Sequence, residues 1–294
     1  ALPISPESSD GDYDVEASKT DTWAYNHEDT LLVFSNGNFN QTKANRGIVP
    51  ASEQYVGSPA LAKNVISVGA VRDGSNANGR VTDASIGTVN ADSILNNLQP
   101  RRDMADNSNR RKPELYAPGH WTTAPLNSGY GEKLGTSMAA PHVSGVAALL
   151  KDKYEHRSLD MDANAMRAEL IATAAPPNHD GYGIVNANNA LFTNRYEARH
   201  AHMSGSVQNS GLFQSPSVEV DKKSFTVEQD TEKLVVALTW LDPGHTPTLR
   251  GSGSNILAND LDLEVEGPDG TRKITTNSNV KRLVLDDPSQ GRYE

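Results

Sequence analysis

The hydrophobic pattern of this chain changes near residue 197, and that change limits the folds available to it. Before this point, apolar residues come in short runs such as "LLVFS" (31–35) and "NVISVGAV" (64–71), which is typical of parallel strands buried on both faces. After it, "KLVVALTW" (233–240) alternates with a period of two, which indicates antiparallel strands with one buried and one solvated face. We therefore predict an α/β fold with a parallel sheet, followed by an all-β module.

Local signals place the remaining elements and divide the chain into two domains. Apolar residues at helical spacing, and the Pro176-Pro177 stop, predict helices, while turn residues bound the strands. The predictions in chain order are a loop at 1–18, a helix at 18–29, a polar surface insertion at 72–111, a strand at 114–119, helices at 137–152 and 162–175, an α/β domain over 1–196 and an all-β domain over 197–294.

Composition excludes several classes of function. The net charge of −10 is spread along the 294 residues and argues against a nucleic-acid or anionic-membrane partner. The chain has no cysteine, so disulfides and thiolate metal sites are not available to it. No apolar run approaches the length of a membrane span.

The segment "GTSMAAPHVSG" (135–145) contains the residue with the clearest chemical potential, Ser137. Small residues surround this serine where a helix is predicted to begin, so a substrate backbone could approach it closely. The N-terminus of a helix also offers free N–H groups and positive potential to a developing oxyanion. Pro141 is expected in the first helical turn, where its missing N–H costs nothing. The alternative is an N-cap serine on a buried, Ala-rich helix.

Several segments together resemble the subtilisin-like serine proteases. "GTSMAAPHVSG" resembles the nucleophile signature of that family, and "VFSNGN" (33–38) is similar to the strand that ends in its oxyanion asparagine. "YVGSPALAKNVISVGAV" (55–71) resembles the wall of the specificity pocket, and "RRKPELYAPG" (110–119) the strand leading toward the nucleophile. The all-β part is similar to the C-terminal jelly-roll β-sandwich of two-domain bacterial alkaline members.

The resemblance implies a serine endopeptidase whose acyl-enzyme forms on Ser137, with Asn38 in the oxyanion hole. It further implies a cis Ser58–Pro59 bond, polypeptide substrates, secretion, and a monomer when full length. Glycine at the pocket positions suggests a preference for large apolar side chains. The residues that the resemblance assigns to the substrate cleft are Gly37, Gly57, Gly135 and Thr136.

The general base that such a serine requires is not evident in this chain. In the family the order is Asp, His, Ser, yet neither a His-Gly-Thr nor an Asp-Thr/Ser-Gly stretch occurs here. His27, the only histidine before Asn38, lacks the motif, and His142 points about 140° away from Ser137 on the same helix. We expect a fragment truncated at both ends and inactive in isolation. A pseudoprotease or a binding module is the alternative.

The chemistry requires no cofactor, and structural calcium is the one metal considered. Asp260, Asp262 and Glu264 share one face of a predicted strand, with Asp242 nearby, and could supply oxygen ligands. A solvated acidic face explains the same alternation. Trp240 shares the apolar face of its strand and is expected in the core rather than on a binding platform.

Overall fold

The computed structural model describes residues 13–37, 56–72, 110–120, 122–133, 135–156, 161–175, 181–191, 222–245 and 256–294. The helices in these ranges are α1 (Val15–Tyr25), α2 (Thr136–Glu155), α3 (Ala163–Ala172) and α4 (Ala187–Leu191). The strands of the first part are β1 (Val33–Ser35), β2 (Ile66–Arg72), β3 (Leu115–His120), β4 (Thr122–Pro125), β5 (Tyr130–Lys133) and β6 (Gly183–Ile184). Those of the second part are β7 (Phe225–Val227), β8 (Lys233–Thr239), β9 (Leu263–Gly267), β10 (Gly270–Ile274), β11 (Val280–Asp286) and β12 (Gly291–Tyr293).

A four-stranded parallel sheet forms the centre of the first part, which we call the α/β half (the described residues between 13 and 191). Its strand order is β1-β2-β3-β6, and each neighbouring pair is parallel. The apolar runs at 64–71 and 114–119 therefore form adjacent buried strands, as their composition predicts. The run at 31–35 forms β1, which is only half-buried because it is the end strand of the described sheet, so the expectation of burial on both faces was wrong for it. The carboxyl ends of β1 and β3 lie at the same edge of the sheet.

Helix α2 packs against this sheet along one apolar stripe. Its buried residues recur every three or four positions, as expected for a helix with one face toward the core. They join the strand residues Ile66, Val68 and Leu115 in one apolar cluster. The buried stripe consists of Ala139, Val143, Ala147, Leu150 and Tyr154.

Two local expectations about helix ends were wrong. Residues 13–18 are not loop, because the Asp14 carboxylate accepts a hydrogen bond from the Ala17 N–H (2.9 Å) and starts α1 at Val15. Pro141 is the sixth residue of α2 rather than part of its first turn. The helix therefore begins earlier than its proline suggests, and Pro141 cannot donate to the carbonyl of Ser137 four residues before it.

The second part consists of three antiparallel strand pairs, which we call the β module (residues 222–245 and 256–294). The pairs are β7 with β12, β8 with β11 and β9 with β10. Strand β9 alternates in burial as predicted. Strand β8 does not: beyond Lys233 it has no solvated face. One side packs in the core of the module and the other against the α/β half, so the prediction of a wet face was wrong for β8.

The β module packs directly on the α/β half. Val280 of β11 belongs to the apolar cluster beneath α2, and Ala237 of β8 packs against it. Asn164 at the start of α3 exchanges two hydrogen bonds with Thr239 of β8, at 2.9 and 3.0 Å. Trp240 is buried, as expected, and its indole N–H donates to the Asn259 carbonyl at 3.1 Å. Apolar packing therefore extends from one part into the other, although the module also has an apolar cluster of its own.

Among the helices described, none combines the length and apolar character needed to cross a membrane.

Candidate active site

The start of α2 is held close to the end of β3. Gly135, the residue before the helix, has φ of +139°, a conformation that residues with a side chain rarely adopt. Its N–H donates to the Gly119 carbonyl at 2.7 Å, and Gly119 is the next-to-last residue of β3. Ser137 is then the second residue of the helix, as predicted. Its N–H is one of the first-turn groups that have no acceptor within the helix.

The loop after β1 reaches the same point. The Gly37 N–H donates to Thr136 Oγ1 at 3.2 Å, and that hydroxyl donates to the Gly37 carbonyl at 3.0 Å. Gly37 has φ of +106°, which turns the chain toward the helix. Residues 37 and 136 are 99 positions apart in sequence. The structure thus brings together four of the predicted site residues: Gly37, Gly135, Thr136 and Ser137.

Ser137 itself is exposed, whereas Gly135 and Thr136 before it are buried. It lines an open cleft of about 430 Å³ between α2 and β1. The cleft walls are formed by short side chains of α2 and by the outer strand of the sheet, which contributes one aromatic ring, Phe34. The lining residues are Val33, Phe34, Ser35, Ser137, Ala140, Pro141 and Ser144. The site can therefore present a hydroxyl at a helix N-terminus to a ligand of considerable size.

The other two predicted site residues are not part of this arrangement as described. Asn38 lies outside the described residues, so its position beside Ser137 stays a prediction. Gly57 lies in the segment before β2, where a Cβ would meet nothing within 4 Å. The next peptide bond, Ser58–Pro59, is cis as predicted. Ser58 Oγ donates to Asp14 Oδ1 at 2.5 Å, which joins this segment to α1.

The described histidine rings have other surroundings than Ser137. His142 Nδ1 donates to the Met138 carbonyl at 2.9 Å, in agreement with its predicted direction away from the serine. His27 Nδ1 bonds the Trp23 carbonyl at 2.7 Å. His156 Nε2 lies 3.4 Å from Asp152 Oδ1, and His245 is in the β module. No histidine ring among the described side chains is thus placed by these contacts as a base for Ser137.

A buried polar network behind residues 55–71 was not predicted from the sequence. Lys63 and Asp242 are both fully buried, with Lys63 Nζ 2.6 Å from Asp242 Oδ2. Asp21 is also fully buried and accepts from the Tyr13 hydroxyl at 2.7 Å. Burial raises the pKa of the Asp21 carboxyl, although the nearby Lys63 opposes that shift. The one sequence signal was the lysine inside the apolar stretch "ALAKNVI" (60–66).

Three of the four acidic residues considered for calcium have other partners. Asp262 pairs with Lys273 at 3.0 Å, and Asp260 lies 3.7 Å from Lys281. Asp242 is paired with Lys63. Within the described residues there is no group of three or more His, Cys, Asp or Glu placed to hold a metal. Structural calcium stays a prediction.

Comparison with known proteins places these features in context. Residues 6–204 match the model of the subtilase family. The chain is 30% identical over 168 residues to an extracellular serine protease of Serratia marcescens, covering 55% of this chain and 15% of that protein. It is 32% identical over 144 residues to subtilisin DY of Bacillus licheniformis, covering 47% of this chain and 41% of that protein. The chain therefore spans less than half the length of these two relatives.

Among solved structures, a point mutant of the protease domain of PatA is similar at 21% identity. The match covers 63% of this chain and 55% of the PatA chain, with a TM-score of 0.45.

Proposed function

Because this chain belongs to the subtilase family, we propose that it carries the nucleophile of a serine endopeptidase, with Ser137 forming the acyl-enzyme. The observation that carries this proposal is the junction at the start of α2. There, an exposed serine follows two buried residues, and Thr136 holds the end of β1 beside it through two hydrogen bonds. A serine in an unspecialised helix cap would not require this second contact.

The reaction proposed is acyl transfer to Ser137 followed by hydrolysis. Ser137 Oγ attacks the carbonyl carbon of a peptide bond, and its proton passes to a histidine and then to the leaving amine. Negative charge develops on the carbonyl oxygen, and the Ser137 N–H and the Asn38 side-chain amide would donate hydrogen bonds to it. Water then attacks the ester, which releases the carboxylic acid and restores the hydroxyl. No metal or organic cofactor takes part in these steps.

We assign the triad aspartate and histidine to polypeptide outside these 294 residues. The family order requires both before Asn38, and the chain has no matching motif there. The hydroxyl of Ser137 is a weak nucleophile at neutral pH without a base. We therefore propose that the full-length protein hydrolyses polypeptides and that this chain alone does not.

Two finer points belong to the same proposal. The three antiparallel strand pairs of the β module are proposed to form part of a jelly-roll β-sandwich. The full-length protein is proposed to be secreted, and its similarity to an extracellular serine protease supports this.

The proposal is tested by labelling with a fluorophosphonate, which reacts with activated serines. We expect stoichiometric labelling of Ser137 in the full-length protein and none in the isolated chain. Removing the serine of subtilisin lowers kcat by about 10⁶, and Ser137→Ala in the full-length protein should cause a loss of that order. Ser144→Ala is the matched control, because Ser144 lies on the same helix and lines the same cleft.

Two results would contradict the proposal in different ways. Labelling of Ser137 in the isolated chain would show that a base is present within these residues. An unlabelled, inactive full-length protein that is correctly folded would favour the pseudoprotease.

A further inference from the structure

The Lys63 ammonium is buried in the α/β half, yet its three hydrogen bonds all reach the β module. Lys63 Nζ donates to Asp242 Oδ2 at 2.6 Å, to the Pro243 carbonyl at 2.6 Å and to the Ile256 carbonyl at 2.9 Å. An ammonium has three donors, so the module satisfies all of them. With the module in place, removing one of these acceptors would leave the buried charge short of a hydrogen-bonding partner, which is strongly unfavourable.

Asp242 is fixed in turn by its own module. Its carboxylate accepts from the backbone N–H groups of Ala258 at 3.0 Å and Asn259 at 2.8 Å. The Asn259 side-chain amide also donates to it at 3.3 Å, and burial with these three donors keeps the carboxylate at one position. Asp242 is therefore a rigid anchor for Lys63 rather than a mobile surface charge.

The backbone of Asp242 also forms hydrogen bonds with the side chain of Asn64, the residue after Lys63. The Asp242 N–H donates to Asn64 Oδ1 at 2.9 Å, and Asn64 Nδ2 donates to the Asp242 carbonyl at 2.8 Å. Asn279 Nδ2 donates to the same Asn64 oxygen at 3.0 Å. Two consecutive residues are thus held by one residue of the module.

The opposite side of the same dipeptide is held by α1. The Asp21 carboxylate accepts from the backbone N–H groups of Lys63 at 3.0 Å and Asn64 at 2.8 Å. Gly244, directly after Asp242-Pro243, packs so closely on α1 that a Cβ there would clash with Thr22 and Ser18. The dipeptide is clamped between α1 and the β module.

We propose that the β module positions the substrate-pocket wall, with Asp242 as a positioning residue that acts through Lys63 and Asn64. Residues 63–64 continue directly from Gly57 and the cis Ser58–Pro59 bond, the segment that resembles the pocket wall. The inference rests on the proposed peptidase function, since only a substrate gives that wall its role. When the clamp is released, the wall shifts, and substrate binding weakens while Ser137 and its helix start stay in place.

The first experiment measures the clamp in the chain itself by a double-mutant cycle of Lys63→Met and Asp242→Asn in urea unfolding. Each single variant should raise the unfolding equilibrium constant about 10²- to 10³-fold, because each leaves a buried charge without its partner. In the double variant, the unfolding equilibrium constant should rise at least about tenfold less than the product of the two single-variant increases. Lys273→Met is the matched control, since Lys273 and Asp262 form an exposed pair, and its effect should stay within about fivefold.

The second experiment measures positioning in the full-length protein with a peptide anilide that has a large apolar residue before the scissile bond. Asp242→Asn should raise KM about tenfold or more, with kcat per fluorophosphonate-titrated site unchanged. Gly244→Ala is a second variant, whose Cβ would push the module away from α1 without changing any charge. It should also raise KM. Lys273→Met should leave both constants as in the wild type.

The outcomes separate this inference from the proposed function. If the wild-type full-length protein neither labels nor hydrolyses the anilide, both proposals fail. If the wild type is active and both interface variants keep its KM, the inference alone is overturned, whatever their stability. Additive single effects in the unfolding cycle would also overturn it, because Lys63 and Asp242 would then act independently.

Discussion

The two sides of the α/β half differ sharply in how their polar and apolar groups are satisfied. On the side facing the β module, Lys63 and Asn64 are buried, and each donates hydrogen bonds to Asp242. On the side that carries the cleft, Ser137 and Ser144 are exposed. Leu149 is 54% exposed on another face of the same helix, about 140° from Ser144. One side is a completed interface, whereas the other has the composition of a buried surface but is open to solvent.

This difference shows on which side of the α/β half the polar groups find their partners within the chain. A buried ion pair requires both partners in place, and the 179-residue separation of Lys63 and Asp242 shows how far the chain folds back to provide them. The cleft side needs no such partner to fold, because its residues are small or uncharged. A surface of this kind can stay exposed to solvent, but it lowers the solubility of the chain.

The largest effect that tests this comparison is expected at two adjacent leucines of α2. Leu150 is fully buried and Leu149 is mostly exposed, so the same Leu→Ala change probes the two environments. Leu150→Ala should lower the free energy of unfolding by about 2–5 kcal/mol, and Leu149→Ala by no more than about 0.5 kcal/mol. Urea unfolding of the chain measures both.

The same pair of variants in the full-length protein sharpens the result. A cost for Leu149→Ala that rises toward that of Leu150→Ala would show that further polypeptide covers this exposed face of α2. Equal costs for the two leucines in the isolated chain would contradict the comparison.

A second test uses alkaline pH at the interface. Tyr182 is buried and donates to the Val280 carbonyl at 3.0 Å, and burial, with the Glu114 carboxylate nearby, raises the pKa of Tyr182 to about 12. An unfolded tyrosine loses its proton near pH 10, so this contribution to stability is complete below about pH 10 and is lost as the pH rises toward 12.

The expected slope from Tyr182 is a loss of up to about 1.4 kcal/mol per pH unit between pH 10 and 12. Tyr182→Phe should flatten that slope. Part of the slope should persist, because burial also raises the pKa of Tyr13. Tyr130→Phe, at a tyrosine that is 77% exposed, is the control and should follow the wild-type profile. An unchanged slope in Tyr182→Phe would show that this tyrosine does not titrate with unfolding.

The smallest effects are expected from two glycines at the nucleophile helix. Gly135→Ala places a side chain at φ of +139° and should cost about 1–3 kcal/mol. Gly145, inside α2 and exposed, has open space at its Cβ position, so Gly145→Ala should stabilise by about 0.5–1 kcal/mol. Thermal unfolding of the two variants should therefore move in opposite directions from the wild type, and a shift of the same sign in both would refute this account of Gly135.

The sequence by itself determined the local elements, including the helix start at Ser137. Short apolar runs specified the parallel strands, and the small residues around Ser137 specified a helix start, because periodicity and cap residues act within a few positions. The cis Ser58–Pro59 bond followed from the resemblance of its segment to the subtilisin-like family.

Only the tertiary structure decided which distant groups meet. Strand β8 lost its expected wet face because the α/β half covers it, and Asp242, considered for calcium, is instead the partner of Lys63 across 179 residues. The two hydrogen bonds between Gly37 and Thr136 are equally non-local. Periodicity reports how each residue faces its own element, whereas a buried charge or hydroxyl is satisfied by whichever element the fold places opposite to it. That information is distributed over the whole chain, and no single segment contains it.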